Sequence, residues 1–452
     1  MIKLYNTLTK SKQVFSPQKD GVVSLYACGP TVYNFAHIGN LRTYIFTDLL
    51  RRTLEYSGLK VEEVMNITDI DDKTIRKSGG NKEKFKKLTA DYETAFFADL
   101  KKLNIELPSS TPRATEYIDK IVKFIEDLLI KDFAYKANDG SIYFSINKFP
   151  NYGKLSSLDK EGLQVGARVN QDEYTKDNPA DFVLWKAYDT ADGEIYWETK
   201  LGKGRPGWHI ECSAMSQDKL GETLDIHAGA VDLIFPHHEN EIAQSESRTG
   251  KPLAHFWIHG EHLMVDGKKM AKGDNNFYTL YDIEKKGYSP LDFRFLVLMG
   301  HYQSKINFTW EGLKAAKTGL NNLKQNIERL KELPNINDKE IETTKILFYE
   351  AVYDNINTPI ALSVLQELIS KANSSQAGGD KLIDLINKFD EVLALDLDNN
   401  IDIPAEIKAL AEKRATAKKA GDFASADKLR SQIFEQGYQI EDMKGTYKLI
   451  KK

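Results

Sequence analysis

Thiols are nearly absent: Cys28 and Cys212 are the only two cysteines in 452 residues, so a disulfide-dense secreted scaffold is excluded. Long apolar runs are missing as well. Phe295-Leu-Val-Leu-Met299 is representative of the longest, far short of the roughly 18 residues a membrane-spanning helix needs. The opening MIKLYNTLTKSKQVF has no apolar centre of the kind a secretory leader carries, which predicts a cytosolic protein with no membrane partner. Charge of one sign is also wanting, with 62 Lys+Arg against 66 Asp+Glu and a formal net charge of -4. No global basic field advertises nucleic acid, so any such contact has to be local. The tail from Ala405 onward holds a modest basic excess.

What remains is a globular composition, 41% hydrophobic and 28% charged, at a length that predicts several units of roughly 100–200 residues each. Residues 22–27, VVSLYA, form a β-favouring run that stops at Cys28-Gly29-Pro30. Ile38, Leu41, Ile45 and Leu49 then recur at helical spacing, and Lys60-Val-Glu-Glu-Val-Met65 reads as a second strand ending in the acidic loop Asn66–Asp72. Strand, helix and strand in this order open a parallel, doubly wound α/β sheet. A helical stretch over 81–132 gives way to Ala134-Tyr-Lys-Ala-Asn-Asp-Gly-Ser-Ile-Tyr-Phe-Ser-Ile146, a hairpin with its turn residues in place.

The expected organisation is therefore one α/β domain whose halves, 1–125 and 196–253, flank an insertion at 126–195. A region at 254–310 leads into a helical bundle at 311–403, where Leu313, Ala316, Leu320, Leu323, Ile327 and Leu330 mark one buried stripe. Pro404 punctuates its end, and 404–452 forms a last small unit.

Three clusters carry chemistry. Cys28, Cys212, His237 and Glu241 offer two thiols, an imidazole and a carboxylate, with His237 and Glu241 at i and i+4. The set suits Zn²⁺; two inert thiols beside a solvated helix, or a disulfide, are the other readings. His37-Ile-Gly-Asn40 falls at a helix start after the first strand, where phosphates bind and ligands meet the strand ends. There His37 is either a cap or a phosphate donor, and Gly39 leaves room for a flat base. Val265-Asp-Gly-Lys-Lys-Met-Ala-Lys-Gly-Asp274 reads as an exposed basic turn or as a mobile loop whose Lys269 and Lys272 close over a triphosphate.

In order, CGPTVYNFAHIGN, NITDIDDK, RPGWHIECSAMS, DIHAGAVDLIFPHHENEIAQSE and KKMAKG resemble the cysteinyl-tRNA synthetase family of class I aminoacyl-tRNA synthetases, from about residue 2 into the tail. The resemblance implies a Rossmann-like doubly wound sheet with an inserted connective domain, a stem-contact region with a KMSKS-like loop, an α-helical bundle and a small C-terminal anticodon-binding domain. It implies that Cys28, Cys212, His237 and Glu241 hold one Zn²⁺, with Thr68 and Trp208 in the amino-acid pocket. His37, Gly39, Asp232, Lys269 and Lys272 would serve ATP, which brings Mg²⁺, and His37, Asn40, Lys269 and Lys272 would act in the chemistry. The partners implied are L-cysteine, ATP and tRNA-Cys, for a monomer. Lys413, Arg414, Lys418 and Lys419 are the tail's candidates for phosphates.

The chain departs from the family pattern in places. Asn40 stands where a second histidine is frequent, Ala271 and Gly273 replace both serines of the KMSKS loop, and Ala230 stands where glycine is usual. Rival readings were weighed on particular residues. Gly202-Lys-Gly-Arg-Pro-Gly207 matches a dinucleotide fingerprint, but it comes late and Pro206 disturbs the turn. A ligase passing cysteinyl-adenylate to a small amine would not need the bundle and basic tail. A catalytically silent tRNA-binding relative would not need His37, Lys269 and Lys272.

Overall fold

After a short hairpin (β1, Lys3–Asn6; β2, Ser11–Val14), the run VVSLYA becomes strand β3 (Val22–Ala27) and crosses through helix α1 (Ile38–Tyr56) to β4 (Lys60–Met65). The computed structural model describes residues 1–157, 181–270, 276–398, 404–443 and 446–451. They divide into two compact units, Met1–Leu397 and Asp398–Lys452.

Helices α2 (Asp72–Ser78), α3 (Lys82–Lys102) and α4 (Ile118–Ile130) follow. An antiparallel sheet comes next, made of β5 (Ala134–Lys136), β6 (Ile142–Phe144), β7 (Phe182–Ala187), β8 (Trp197–Thr199) and β9 (Gly202–Pro206) in the order β5-β6-β7-β9-β8. The hairpin at 134–146 forms as its turn residues predict. The strands past Glu194 do not resume the parallel sheet; they complete this antiparallel one. Gly202–Gly207 is therefore no phosphate loop. A Cβ at Gly204 would fall 2.1 Å from the Lys186 carbonyl oxygen, and one at Gly207 2.3 Å from that of Val183. Close backbone approach accounts for both glycines.

The parallel sheet resumes through α5 (Trp208–Leu220), β10 (Leu224–Ala230), α6 (Glu239–Thr249) and β11 (Ala254–Gly260). Its order is β11-β10-β3-β4, all parallel. Successive residues of a strand face opposite sides. Val23, Leu25, Ile226, Phe256 and Ile258 enter the core shared with α1, whereas Tyr26 and Trp257 enter the core beneath α5 and α6. Strand order reverses between β3 and β10, so their carboxyl ends frame the crevice where such sheets bind ligands.

A small sheet follows, β12 (Leu263–Val265), β13 (Lys268–Lys269) and β14 (Ile306–Phe308), with α7 (Leu280–Lys285) and α8 (Pro290–Leu298) between its last two strands. The bundle is α9 (Trp310–Leu330), α10 (Asp338–Tyr353), α11 (Thr358–Ser375) and α12 (Gly379–Leu393). The buried residues of α9 are the six of the predicted stripe. Among the described residues no helix is long and apolar enough to cross a membrane.

The second unit contains α13 (Ala405–Lys419), α14 (Phe423–Glu435), β15 (Tyr438–Met443) and β16 (Thr446–Lys451). Here the structure corrects the tail's phosphate candidates. Arg414 is 3% exposed and grips Asp442 with two bonds of 2.8 and 2.9 Å, and Lys418 joins the same carboxylate at 2.8 Å. Arg414 is thereby withdrawn from solvent, whereas Lys413, Lys418 and Lys419 stay exposed on α13.

Arg294 ties the bundle to the α/β domain. Fully buried on α8, it donates to Leu393 O at 2.8 Å, Leu103 O at 2.9 Å and Asp48 Oδ2 of α1 at 2.6 Å. Removing one partner of a buried pair leaves the other charged and poorly solvated. Arg294→Met is expected to lower unfolding free energy by about 3 kcal/mol in urea titrations, whereas breaking the exposed Lys60–Glu62 pair should cost little.

Candidate active site

Three strands lay an aromatic row beneath the crevice. Tyr26, His227 and Trp257 stand opposite one another in register. The His227 ring stacks on Trp257 at 4.5 Å and meets Tyr26 edge-on at 5.2 Å. Cys28 lies two residues past Tyr26, so it points to the same face. Cys212 descends from the second turn of α5. His237 and His238 end a single turn, Ile234–His238, that runs into α6 and Glu241.

Glu241 is the hub. Its Oε1 meets His237 Nε2 at 2.9 Å and its Oε2 meets His227 Nε2 at 2.8 Å, with all three side chains buried. Cys28 Sγ lies 3.7 Å from Glu241 Oε1 and 3.3 Å from His238 Nε2. Two four-residue sets keep their donor atoms within 4.8 Å of one another: Cys28, Cys212, His237, Glu241 and Cys28, His227, His238, Glu241. The structure thus brings together the four residues singled out in the sequence and adds two histidines. Neither cysteine is in a disulfide.

The ionisation of the cage is set by its crowding. Burial opposes charge on Glu241, but His227 and His237 beside it hold its carboxyl at about 2. Burial would also strip His237 of its proton, yet Glu241 and Cys212 carry it up to about 10. For Cys212, burial pulls the thiol up while the Cys28 hydrogen bond and His237 bring it down to about 6. Cys28 goes the other way, pushed up by burial and then by Cys212. The directions favour a charged Glu241 and a protonated His237, with the two thiols driven apart in acidity. The protons that the cage retains occupy the role that a divalent cation would take over.

Outer contacts fix the rings. His237 Nδ1 lies 2.8 Å from His209 Nδ1, and Trp208 stacks on His237 with centroids 4.2 Å apart. His238 Nδ1 lies 2.8 Å from His259 Nε2, whose Nδ1 is 2.7 Å from Thr7 Oγ1. Thr68, buried at the end of β4, donates to Glu211 Oε2 at 3.0 Å and accepts from Asn66. Glu211 Oε1 is buried without a hydrogen-bond partner, and burial, then Cys212, pushes that carboxyl well up. His209, Glu211, His227, His238 and His259 were missed in the sequence as site residues. The alternation of β10 could have flagged His227, but only a known register aligns it with Tyr26.

At the other side of the crevice His37 is the N-cap of α1. Its Nδ1 accepts from the Asn40 amide at 3.1 Å, and the Asn40 side chain accepts from the His37 amide at 3.2 Å. An accepting Nδ1 places the neutral ring's proton on Nε2. Gly39 sits under Met270, whose Cε is 2.5 Å from where a Cβ would stand. The HIGN turn and the lysine loop therefore touch. Lys269 is exposed at the end of β13, and its carbonyl accepts from Asn276 at 3.1 Å. Asp232 is exposed in the turn after β10. Lys272, with Ala271 and Gly273, lies outside the described residues.

A family model described as the class I (C) tRNA synthetase catalytic domain matches residues 14–318, and a DALR domain model matches 347–397 within the bundle. The chain is 46% identical to the cysteine--tRNA ligase of Chlamydia felis, covering 99% of this chain and 97% of the relative. It is equally similar, at 46%, to that of Protochlamydia amoebophila, covering 98% and 96%. Among solved structures it resembles Mycobacterium tuberculosis methionyl-tRNA synthetase in complex with methionyl-adenylate, with a TM-score of 0.59 at 12% identity over 83% of this chain and 88% of that one. A leucyl enzyme of Agrobacterium radiobacter K84, solved as a ternary complex, gives 0.59 at 10% identity over 85% of each. At these identities the likeness is one of fold.

Because asparagine caps helices well and alanine does not, His37→Asn is expected to unfold close to the wild type, while His37→Ala loses about 1 kcal/mol in the same thermal or urea titration.

Proposed function

The chain belongs to the cysteine--tRNA ligases, a family of class I aminoacyl-tRNA synthetases, and from that premise we propose that Cys28, Cys212, His237 and Glu241 hold a single Zn²⁺ that recognises the side chain of the amino acid. The enzyme joins cysteine to tRNA. The observation that carries the metal reading is the cage itself: four buried donors of mixed S, N and O character within 4.8 Å. Fully deprotonated, two thiolates and a carboxylate would crowd three negative charges into a site closed to water, and a dication offsets them. The overlapping set with a single thiol is the harder and less zinc-selective of the two. Bound in the cage, zinc supplies a soft Lewis acid that favours a thiolate over the hydroxyl of serine, a one-atom difference that apolar shape discriminates by only about 1–3 kcal/mol.

The protein's own residues do the rest. Trp208, held by its stack on His237, walls the pocket beside the cage. Thr68 and Glu211 line the β4 side, and the unpaired Glu211 oxygen offers a hydrogen-bond acceptor for the substrate's ammonium group. A carboxylate oxygen of cysteine attacks the α-phosphorus of ATP, and the bond to pyrophosphate breaks. His37 Nε2–H donates to phosphate oxygen, while Lys269 and Lys272, with the Mg²⁺ that accompanies ATP, neutralise the leaving pyrophosphate. Gly39 and Asp232 are assigned to adenine and ribose at the strand ends. Asn40 acts by fixing the His37 tautomer. The 2′-hydroxyl of the terminal adenosine of tRNA-Cys then attacks the carbonyl carbon of the cysteinyl-adenylate, the acyl–phosphate bond breaks, and AMP leaves with the hydroxyl proton passing to its phosphate. We read the enzyme as a cytosolic monomer, a compartment that keeps both thiols reduced.

Purified protein is expected to contain about one zinc per chain by elemental analysis, and Cys212→Ser to lose most of it. Exchange of labelled pyrophosphate into ATP should depend on cysteine and be at least 100-fold weaker with serine. Equal exchange with both amino acids would sink selection by the thiolate.

A further inference from the structure

We propose that Phe35, with Tyr33, Tyr92 and the basic edge of α2, is the platform on which the single-stranded 3′ end of the tRNA lies as its terminal adenosine enters the site. The inference rests on the ligase activity and adds to it a place where the nucleic acid is held.

Phe35 is 53% exposed, an unusual state for a large aromatic ring, and it sits in the loop that begins at Cys28 and ends at His37. The ring is not loose. It meets Tyr92 edge-to-face at 5.0 Å. Lys77 secures the arrangement, donating to Tyr92 Oη at 2.7 Å and Tyr33 O at 2.9 Å, with its ammonium 4.5 Å from the Tyr92 ring centre. Lys73 lies 5.3 Å over Tyr33. Three aromatic rings and two cations thus share one surface.

Charge and location select the occupant. Lys73, Arg76 and Lys77 are all exposed on α2, whereas Asp72 at the start of that helix is engaged by Arg205 and Lys186. A positive edge on a chain of net charge -4 is a local attraction for phosphates, the kind of patch that an acidic protein needs in order to bind nucleic acid. Exposed aromatics interleaved with cations match single strands, whose unpaired bases stack irrespective of sequence. The platform also lies where the strand must pass. Its loop leaves the carboxyl end of β3, and α2 follows Thr68 at the carboxyl end of β4. Both flank the crevice holding His37 and the cage. None of Phe35, Lys73 or Lys77 belongs to the machinery that activates cysteine.

The test uses the full-length enzyme with Phe35→Ala, Phe35→Trp and the double variant Lys73→Glu/Lys77→Glu. Three quantities are read: cysteine-dependent pyrophosphate exchange without tRNA, single-turnover transfer from preformed adenylate to tRNA-Cys, and quenching of 2-aminopurine placed at the tRNA 3′ end. Exchange should stay within about twofold of wild type in all three. Phe35→Ala should slow transfer or raise KM for tRNA by roughly tenfold or more, the size of one lost base stack, and abolish most of the quenching. Phe35→Trp should restore both, and the double variant should weaken tRNA binding and flatten its salt dependence. Wild-type transfer and quenching in Phe35→Ala would overturn the proposal, as would an equal fall in exchange, which would move Phe35 to the ATP side. Absence of exchange in the wild type would instead count against the activation chemistry and is separable from either result.

Discussion

Everything in the crevice hangs on one buried carboxylate. Glu241 has no solvent to stabilise its charge, so its two oxygens are satisfied by two histidines from different elements, His227 on the central strand and His237 on the turn leading into its own helix. That double attachment fixes α6 against β10. With α6 in place, Cys28 from β3 and Cys212 from α5 converge on the same point. A buried charge left unpaired would cost several kcal/mol, which makes this arrangement hard to deform. The aromatic row of Tyr26, His227 and Trp257 closes the floor beneath it.

Much of this was legible in the residues. The strand at 22–27, helix α1, the strand at 60–65 and the six-residue stripe of α9 follow directly from periodicity and turn chemistry, because each is a local pattern. The four cage residues could be grouped by donor chemistry, but only the resemblance favoured the metal over two inert thiols, since no spacing rule joins Cys28 to Cys212. The added histidines were hidden for a physical reason: His227 is important through its position opposite Tyr26, and pairing register is a property of two strands at once. Charge counting also misled in the tail. Arg414 looked like a surface cation, but bidentate pairing with Asp442 takes it out of reach of any phosphate. The glycines at 202–207 imitate a nucleotide fingerprint for other reasons: a positive φ at Gly202 and tight backbone approach at Gly204 and Gly207.

The two chemical halves of the site are built on opposite kinds of rigidity. The cage is deep, enclosed and cross-linked by side chains from three strands and two helices. The side proposed for the nucleotide is a surface of backbone ends and turns: a helix cap at His37, an exposed Asp232 and an exposed Lys269. His37 joins structure and chemistry in one ring, since the bond that caps α1 also decides which nitrogen bears the proton. Asn40 supplies the reciprocal bond of the cap, its side-chain oxygen accepting from the His37 backbone amide.

Met270 gives the nucleotide side an additional property. Its methyl group rests on Gly39, in the space that the missing Cβ leaves open. If adenine is to lie on that glycine, methionine and purine are rivals for the same small area, and one must vacate before the other arrives. That single thioether contact makes the end of β13 and the first turn of α1 neighbours that share one small patch of surface.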